Sequence, residues 1–447
     1  MSAGSKRRKI MKIGFGQVEF TPLEGYLPGE FWPFYATSKF TPLLANAAAF
    51  TGDDGESVIL ISVDYLHFYT DRAAYLRKKI SNLTGVAYEN ILLAATHSHT
   101  SASDRNISGL CPAEPDTGLR TERRVVEAAV AAWNSRADAK FGVGKGEERR
   151  MSFNRDCVMK DGRIVSIPGR AAAPEIDHYL GVVDYDVFVM RIEDADGKIK
   201  GFIVNYANHP DNHGKRKFSG DYPAYMRQAL KEKFGEDITV LFLNGACGDV
   251  NAFDYKNSTD WYNVEDRENA PMHIGNQLAQ TVIAINEGIV ADITSAPVKA
   301  ASDIVTFDAR VPADWEMEEA LENKKLMDAG EAVHRHVWSV TNNTLKYNDS
   351  ATPLSYDVFM QAILIGPWAI AAVPVELYAE LGLKIKADSP VEMTLVSELT
   401  NGAYGYLPPD STLGCPAYGG RYYAGRLGRG SDKKMVDTAV ELIKELV

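Results

Sequence analysis

Short apolar runs alternate with amphipathic stretches along most of the chain. SVILISVDYL (57–66) is continuous and rich in β-branched residues, the signature of a buried strand. Helical spacing follows over 71–83, then strand-like ILLAA (91–95), then a helical pattern over 122–136. The turn signal DADG divides a hairpin with strands at 186–192 and 199–206. A helix over 222–235 precedes the short apolar strand TVLFLNG, and a long helix covers 267–287. The charged stretch 313–336 reads as one surface-facing helix, with His334 and His336 on its solvated side. Further on, two strands meet at Gly366-Pro367, a helix opens at Glu376, a strand spans 391–399 and a helix runs over 432–446. This interleaving predicts an α/β fold of layered mixed β-sheets flanked by helices. No composition break divides it, so 1–447 is expected to be one large domain, with 1–10 as a disordered polar terminus.

The polar residues sit where the apolar runs stop. ILLAA leads to His97 and His99, and the strand at 199–206 to ANHPDNHG, with His209 and His213. Strand 239–243 leads to NGACGDVN, 368–373 to VPVE with Glu376, and 393–399 to TNGAYGY. Ligands of open α/β sheets gather beyond strand ends. Imidazoles and carboxylates delivered there can share one metal ion. His97 and His99, at i and i+2 on a strand, point to one face; the alternative is a polar strand terminus. Glu376 is either a ligand or a favourable acid in the first turn of a helix. Asp249 is either an Asx-turn acceptor or an orienting acid. Asp64 interrupts an apolar run, and a buried carboxylate needs a partner: a histidine, a backbone donor or a cation near the site. The basic run after His213 makes it read as solvated, and His67, His178 and His273 show no pattern.

Composition narrows the classes. The chain has 447 residues, 45% of them hydrophobic, enough for an extensive core. A net charge of -12 argues against a nucleic-acid partner. No run approaches the ~20 apolar residues that span a bilayer. No apolar stretch follows the basic cluster Lys6–Lys9, so no signal peptide is read. Cys111, Cys157, Cys247 and Cys415 are widely spaced and form no C-x-x-C pair. They suggest no disulfide framework, and a cytoplasmic location is expected. A small-molecule substrate and a homo-oligomer are both compatible with this composition.

The motifs taken together, over roughly 13–423, resemble the catalytic domain of the neutral (non-lysosomal) ceramidases. THSHT is similar to that family's Thr-His-Thr-His-Ser, NYANHP to its Ala-x-His-Pro, and NGACGDVN to its Gly-Asp-Val-Ser-Pro. VPVEL is similar to its Val-Pro-Gly-Glu, and NGAYGYLPP with PAYGG to its tyrosine motifs. SFNRD and SGDYPAYM add weaker matches. The resemblance implies one zinc ion per chain, held by His97, His209, Glu376 and Tyr406. It implies that His99 handles substrate or protons beside the metal and that Tyr418 stabilises an oxyanion. Asp249 joins these as a catalytic candidate, and Asp64, Asp221, Asn154 and Arg155 fall on the substrate side. The family's serine is replaced by Asn251. An amide forms no acyl-enzyme, so Asn251 is expected to hydrogen-bond substrate, and attack by zinc-activated water is the expected mechanism. The family's C-terminal immunoglobulin-like domain has no counterpart in the chain. The reading is a zinc-dependent amidohydrolase for a small N-acyl or sugar-like substrate. The alternatives are a carbohydrate-active hydrolase or lyase and a zinc-stabilised binding protein.

Overall fold

The computed structural model describes residues 10–28, 34–103, 114–213, 216–257, 269–349 and 352–447. Cys111 and residues 1–9 of the expected disordered terminus lie outside the described residues. The larger sheet is built from β1 (Lys12–Glu19), β2 (Leu44–Thr51), β3 (Ser57–Val63) and β4 (Ile91–Ala95). To these it adds β5 (Ala137–Glu147), β6 (Asp186–Asp194), β7 (Ile199–Tyr206) and β8 (Thr239–Asn244). Its order is β8-β7-β6-β5-β1-β2-β3-β4. The β3/β4 and β7/β8 pairs are parallel, so within each pair the C-terminal ends lie side by side. The next strands are β9 (Val298–Asp308), β10 (Ser355–Ile365), β11 (Trp368–Ala372), β12 (Glu376–Leu377), β13 (Met393–Ser397) and β14 (Tyr406–Leu407). A second sheet has the order β9-β10-β11-β13, its last pair parallel, while β12 pairs in parallel with β14.

The two sheets pack face to face. Phe141, Phe188, Met190, Leu241 and Leu243 of the first meet Ile363, Ile365, Trp368, Ile370 and Leu395 of the second in one dry layer. Helices cover the outer faces. They are α1 (Thr70–Thr84) and α2 (Pro115–Asn134) over β1–β4, and α3 (Asp221–Phe234) and α4 (Ala270–Glu287) over β6–β8. The chain then forms α5 (Asp314–Asp328) and α6 (Arg335–Leu345), which pack on each other. Helices α7 (Ala379–Asp388) and α8 (Ser431–Lys444) cover the second sheet. The layers therefore run helix, sheet, sheet, helix, which is the layered α/β fold expected. Among the described residues no helix is long and apolar enough to cross a membrane, and Cys157, Cys247 and Cys415 are free thiols.

Three local readings change. The stretch 313–336 is not one helix: α5 ends at Asp328, Gly330 adopts φ +79°, and the chain re-enters as α6. Glu376 does not open a helix but lies in β12, three residues before α7 begins. The sequence pattern also missed β1 and β2, because LANAAAFT and the Gly-x-Gly of β1 carry little strand propensity. Packing explains these residues. A Cβ on Gly16 would stand 2.1 Å from Ala128 O of α2, and one on Gly14 2.3 Å from Ala132 O. Helix α2 thus lies directly against the β1 backbone, with the alanines of β2 beside it.

Gly16→Val is expected to destabilise the fold by at least about 1–3 kcal/mol, because helix backbone rather than a flexible side chain occupies the space. Urea unfolding of the variant beside the wild type checks this.

Candidate metal centre and its cavity

The site lies where strands of both sheets end. His97 and His99 follow β4, His209 follows β7, Cys247 and Asp249 follow β8, Glu376 follows β11, and Tyr406 lies beyond β13. His97 has φ +68°, a left-handed backbone that residues other than glycine rarely adopt. Strand β4 has already stopped at Ala95. The two histidines therefore meet through this sharp turn, not through the two-residue period of a strand. The turn is tied to the His209 loop: Ser98 Oγ donates to Ser219 O at 2.6 Å, and His99 N to Pro210 O at 3.2 Å. Glu376 and Tyr406 are direct register partners in the β12/β14 pair.

The Nε2 atoms of three histidines converge. His97 and His209 are 3.0 Å apart, His99 and His209 3.2 Å, and His97 and His99 3.4 Å. Glu376 Oε2 lies 3.2 Å from His97 Nε2 and 3.9 Å from His209 Nε2, buried and without a well-directed hydrogen bond. The other ring nitrogens face carbonyls: His97 Nδ1 is 2.9 Å from Leu66 O, and His209 Nδ1 3.3 Å from Cys247 O. Each carbonyl requires N–H at Nδ1, which leaves the Nε2 lone pair facing inward. Donors around a tetrahedral zinc at ~2.05 Å stand about 3.3 Å apart. The spacing and chemistry of these donors fit such an ion, and His99 belongs to the cluster as closely as His97 and His209.

The electrostatics agree. Burial opposes charge on Glu376, yet His97, a hydrogen bond from Tyr406 and the Arg155 guanidinium hold its pKa at about 2. Burial and the neighbouring cationic groups push His209 well below the ordinary histidine range. Burial and the Glu376 charge push the Tyr418 phenol up to about 12. Arg155 donates to Gly248 O at 2.6 Å, and its guanidinium lies 5.1 Å from the Tyr406 ring and 5.5 Å from the Tyr418 ring.

These groups form the floor of a cavity of about 340 Å³. Seven of the residues singled out from sequence line it: His97, His99, His209, Glu376, Tyr406, Tyr418 and Arg155. The other five lie behind it. Asp64 is fully buried against Arg227 and also accepts from Leu44 N at 3.0 Å. Asp221 accepts from Asn212 N and Nδ2, both at 3.0 Å, bracing the His209 loop. Asp249 receives Ala379 N at 2.8 Å, capping α7, and Asn154 Nδ2 at 2.6 Å. Asn251 is engaged by Tyr255 and by Phe253 N. These side chains are committed to neighbouring protein groups and brace the residues that line the cavity.

Several residues were missed. Glu398 is fully buried and accepts from Cys247 N and Leu377 N, both at 3.1 Å, and from Cys247 Sγ at 2.9 Å. It clamps the segment supporting His209 to the one carrying Glu376. A carboxylate at the end of an apolar strand is the signal that was passed over. His67 and Asp211 line the cavity, and so does His336, which the solvated-helix reading had placed outside. His213 is buried rather than solvated, its ring stacked on Phe40 at 4.4 Å.

No family model and no curated protein matches the chain. Its structure is similar to that of neutral ceramidase from Pseudomonas aeruginosa, with a TM-score of 0.74 at 15% identity, covering 98% of this chain and 74% of that one. It is also similar to a ceramidase complexed with C2, with a TM-score of 0.72 at 16% identity, covering 98% and 75%. The likeness spans nearly the whole chain and establishes the fold.

Glu398→Ala is expected to strand two buried N–H groups and cost about 2–6 kcal/mol, whereas Glu398→Gln keeps an oxygen acceptor and costs less; urea denaturation of the pair checks this. Burial, aided by Lys217, lowers the pKa of His213 from 6.5 to about 3. Between those values the unfolded chain binds the extra proton, so this residue's share of stability falls as pH falls. The acid slope of the melting temperature should be shallower in His213→Phe, and an unchanged slope would count against a neutral buried imidazole.

Proposed function

We propose that the chain is a metal-dependent hydrolase acting on an amide-like or other carbonyl-derived bond of a small N-acyl substrate. The observation that carries this reading is the convergence of three imidazole Nε2 atoms and one carboxylate, at spacings that fit one metal ion, on the floor of a cavity open to solvent. The fold neighbours, both ceramidases, support an N-acyl bond as the target. No observation favours the carbohydrate alternative. The donor set suits one zinc ion; as the ceramidase resemblance implies, His97, His209, Glu376 and Tyr406 would hold it, and His99, about as near to the other two imidazoles as they are to each other, would handle protons. When bound, zinc supplies a water acidified towards a pKa of ~7 and a Lewis acid for the carbonyl.

The residues have separate tasks. His99, beside the cluster and 3.8 Å from Asp211 across its other ring nitrogen, takes the proton of the attacking water and returns it to the leaving amine. Water adds to the carbonyl carbon, the C–N bond breaks, and the amine leaves protonated. Tyr418 keeps its phenol proton at neutral pH, so it donates a hydrogen bond to the developing oxyanion. Arg155 holds Tyr406 and Tyr418 in place through its contacts with both rings. Neither Asn251 nor Cys247 offers a covalent route: Asn251 is an amide that does not line the cavity. Cys247 is fully buried with its thiol pKa raised well above normal by burial and by Glu398.

Elemental mass spectrometry of the purified chain should find about one zinc per chain, lost in His97→Ala and reduced in Tyr406→Phe. Hydrolysis of N-acyl substrates should stop on chelation and return with zinc. A wild-type chain that retains no metal after zinc is added back would overturn the proposal. Tyr418→Phe should keep the metal and lower kcat by about 10²–10³-fold, the usual cost of one oxyanion donor.

A further inference from the structure

The cavity has a second chemical end. Gly405 and Gly425 form an antiparallel bridge, and Arg426 N donates to Tyr404 O at 2.9 Å. In this register Tyr406 stands opposite Ala424, and Tyr404 opposite Arg426. Gly405 carries a left-handed φ of +73°, so the cavity lining rather than strand alternation shows where these side chains lie. All four line the same cavity, with Tyr406 buried and Arg426 exposed.

Arg426 is exposed, and among the described residues its guanidinium reaches no carboxylate. Its Nη1 makes two long contacts, at 3.4 Å from Tyr423 O and from Gly425 O. Facing it in the cavity wall is α6, which presents His336, Ser339, Val340 and Asn343 at i, i+3, i+4 and i+7. This part of the wall therefore sets a guanidinium and the polar groups of α6 among the apolar residues that make up much of the cavity lining. Arginine is suited to carboxylates, which it can bind with two parallel N–H donors.

We propose that the substrate is an N-acyl compound bearing a carboxylate, and that Arg426 determines this specificity by binding that carboxylate while the scissile carbonyl lies on the floor. The inference rests on the hydrolase reading given above. The carboxylate can sit on either side of the scissile amide, so two probes are needed. N-acetyl-L-phenylalanine carries it on the amine side, and N-succinyl-phenethylamine on the acyl side. Each is compared with its neutral methylamide, using the zinc-loaded full chain.

At least one acid should be turned over about tenfold or more faster, in kcat/KM, than its neutral partner. That ratio should collapse towards one in Arg426→Ala and recover partly in Arg426→Lys, and the probe that responds identifies the side. Equal rates for both acid–neutral pairs would overturn the inference and leave the hydrolase reading standing. If no probe is hydrolysed, the hydrolase reading fails for this substrate class. Calorimetric binding of the two acids to wild type and Arg426→Ala then decides the inference alone: tighter binding to wild type supports it, and equal binding overturns it.

Discussion

The Nε2 atoms of three histidines crowd together, two of them with lone pairs turned inward by the carbonyls at their Nδ1 atoms, and a buried carboxylate beside them adds an unscreened charge. Such a cluster persists only if the surrounding structure over-determines it or a cation sits among the donors. Much of the local architecture serves that requirement. The carbonyls of Leu66 and Cys247 set the tautomers of two histidines. Asp221 pins the loop of one, and the left-handed turn at His97 aims the other. Glu398 locks the segment beneath His209 to the segment that carries Glu376. Asp221 and Glu398 do not line the cavity, and removing either would loosen a donor it does not touch.

The fold was legible in the sequence wherever burial and periodicity agreed. Continuous apolar runs such as 57–66 and 239–243 are strands, and amphipathic 222–235 is a helix with little adjustment. What stayed hidden depends on close backbone packing. The small residues of β1 and β2 look like poor strand formers until α2 lies against them, and that contact joins residues more than 100 positions apart. The break at Gly330 was hidden in a run of charged residues that reads equally well as one helix.

The site was legible at the residues that touch the cavity, because polar groups at the ends of apolar strands are conspicuous. It was not legible behind the cavity. Asp64 drew notice as a carboxylate in an apolar run, and its partner proved to be Arg227, a residue on α3 that no local pattern links to it. Glu398 and Asp249 are similar: a buried acid announces that it needs donors but does not say which segment supplies them.

The donors are also spread along the chain in a telling order. His97 and His209 belong to the first sheet, whereas Glu376 and Tyr406 hang from the second. During synthesis the ribosome must release about nine-tenths of the polypeptide before the last of these side chains exists outside the tunnel. A nascent chain therefore has no complete centre to offer, however long it waits. Capture of an ion would be a late event in the molecule's maturation, following the docking of one sheet on the other, and would act as a latch on that docking rather than as a seed for it.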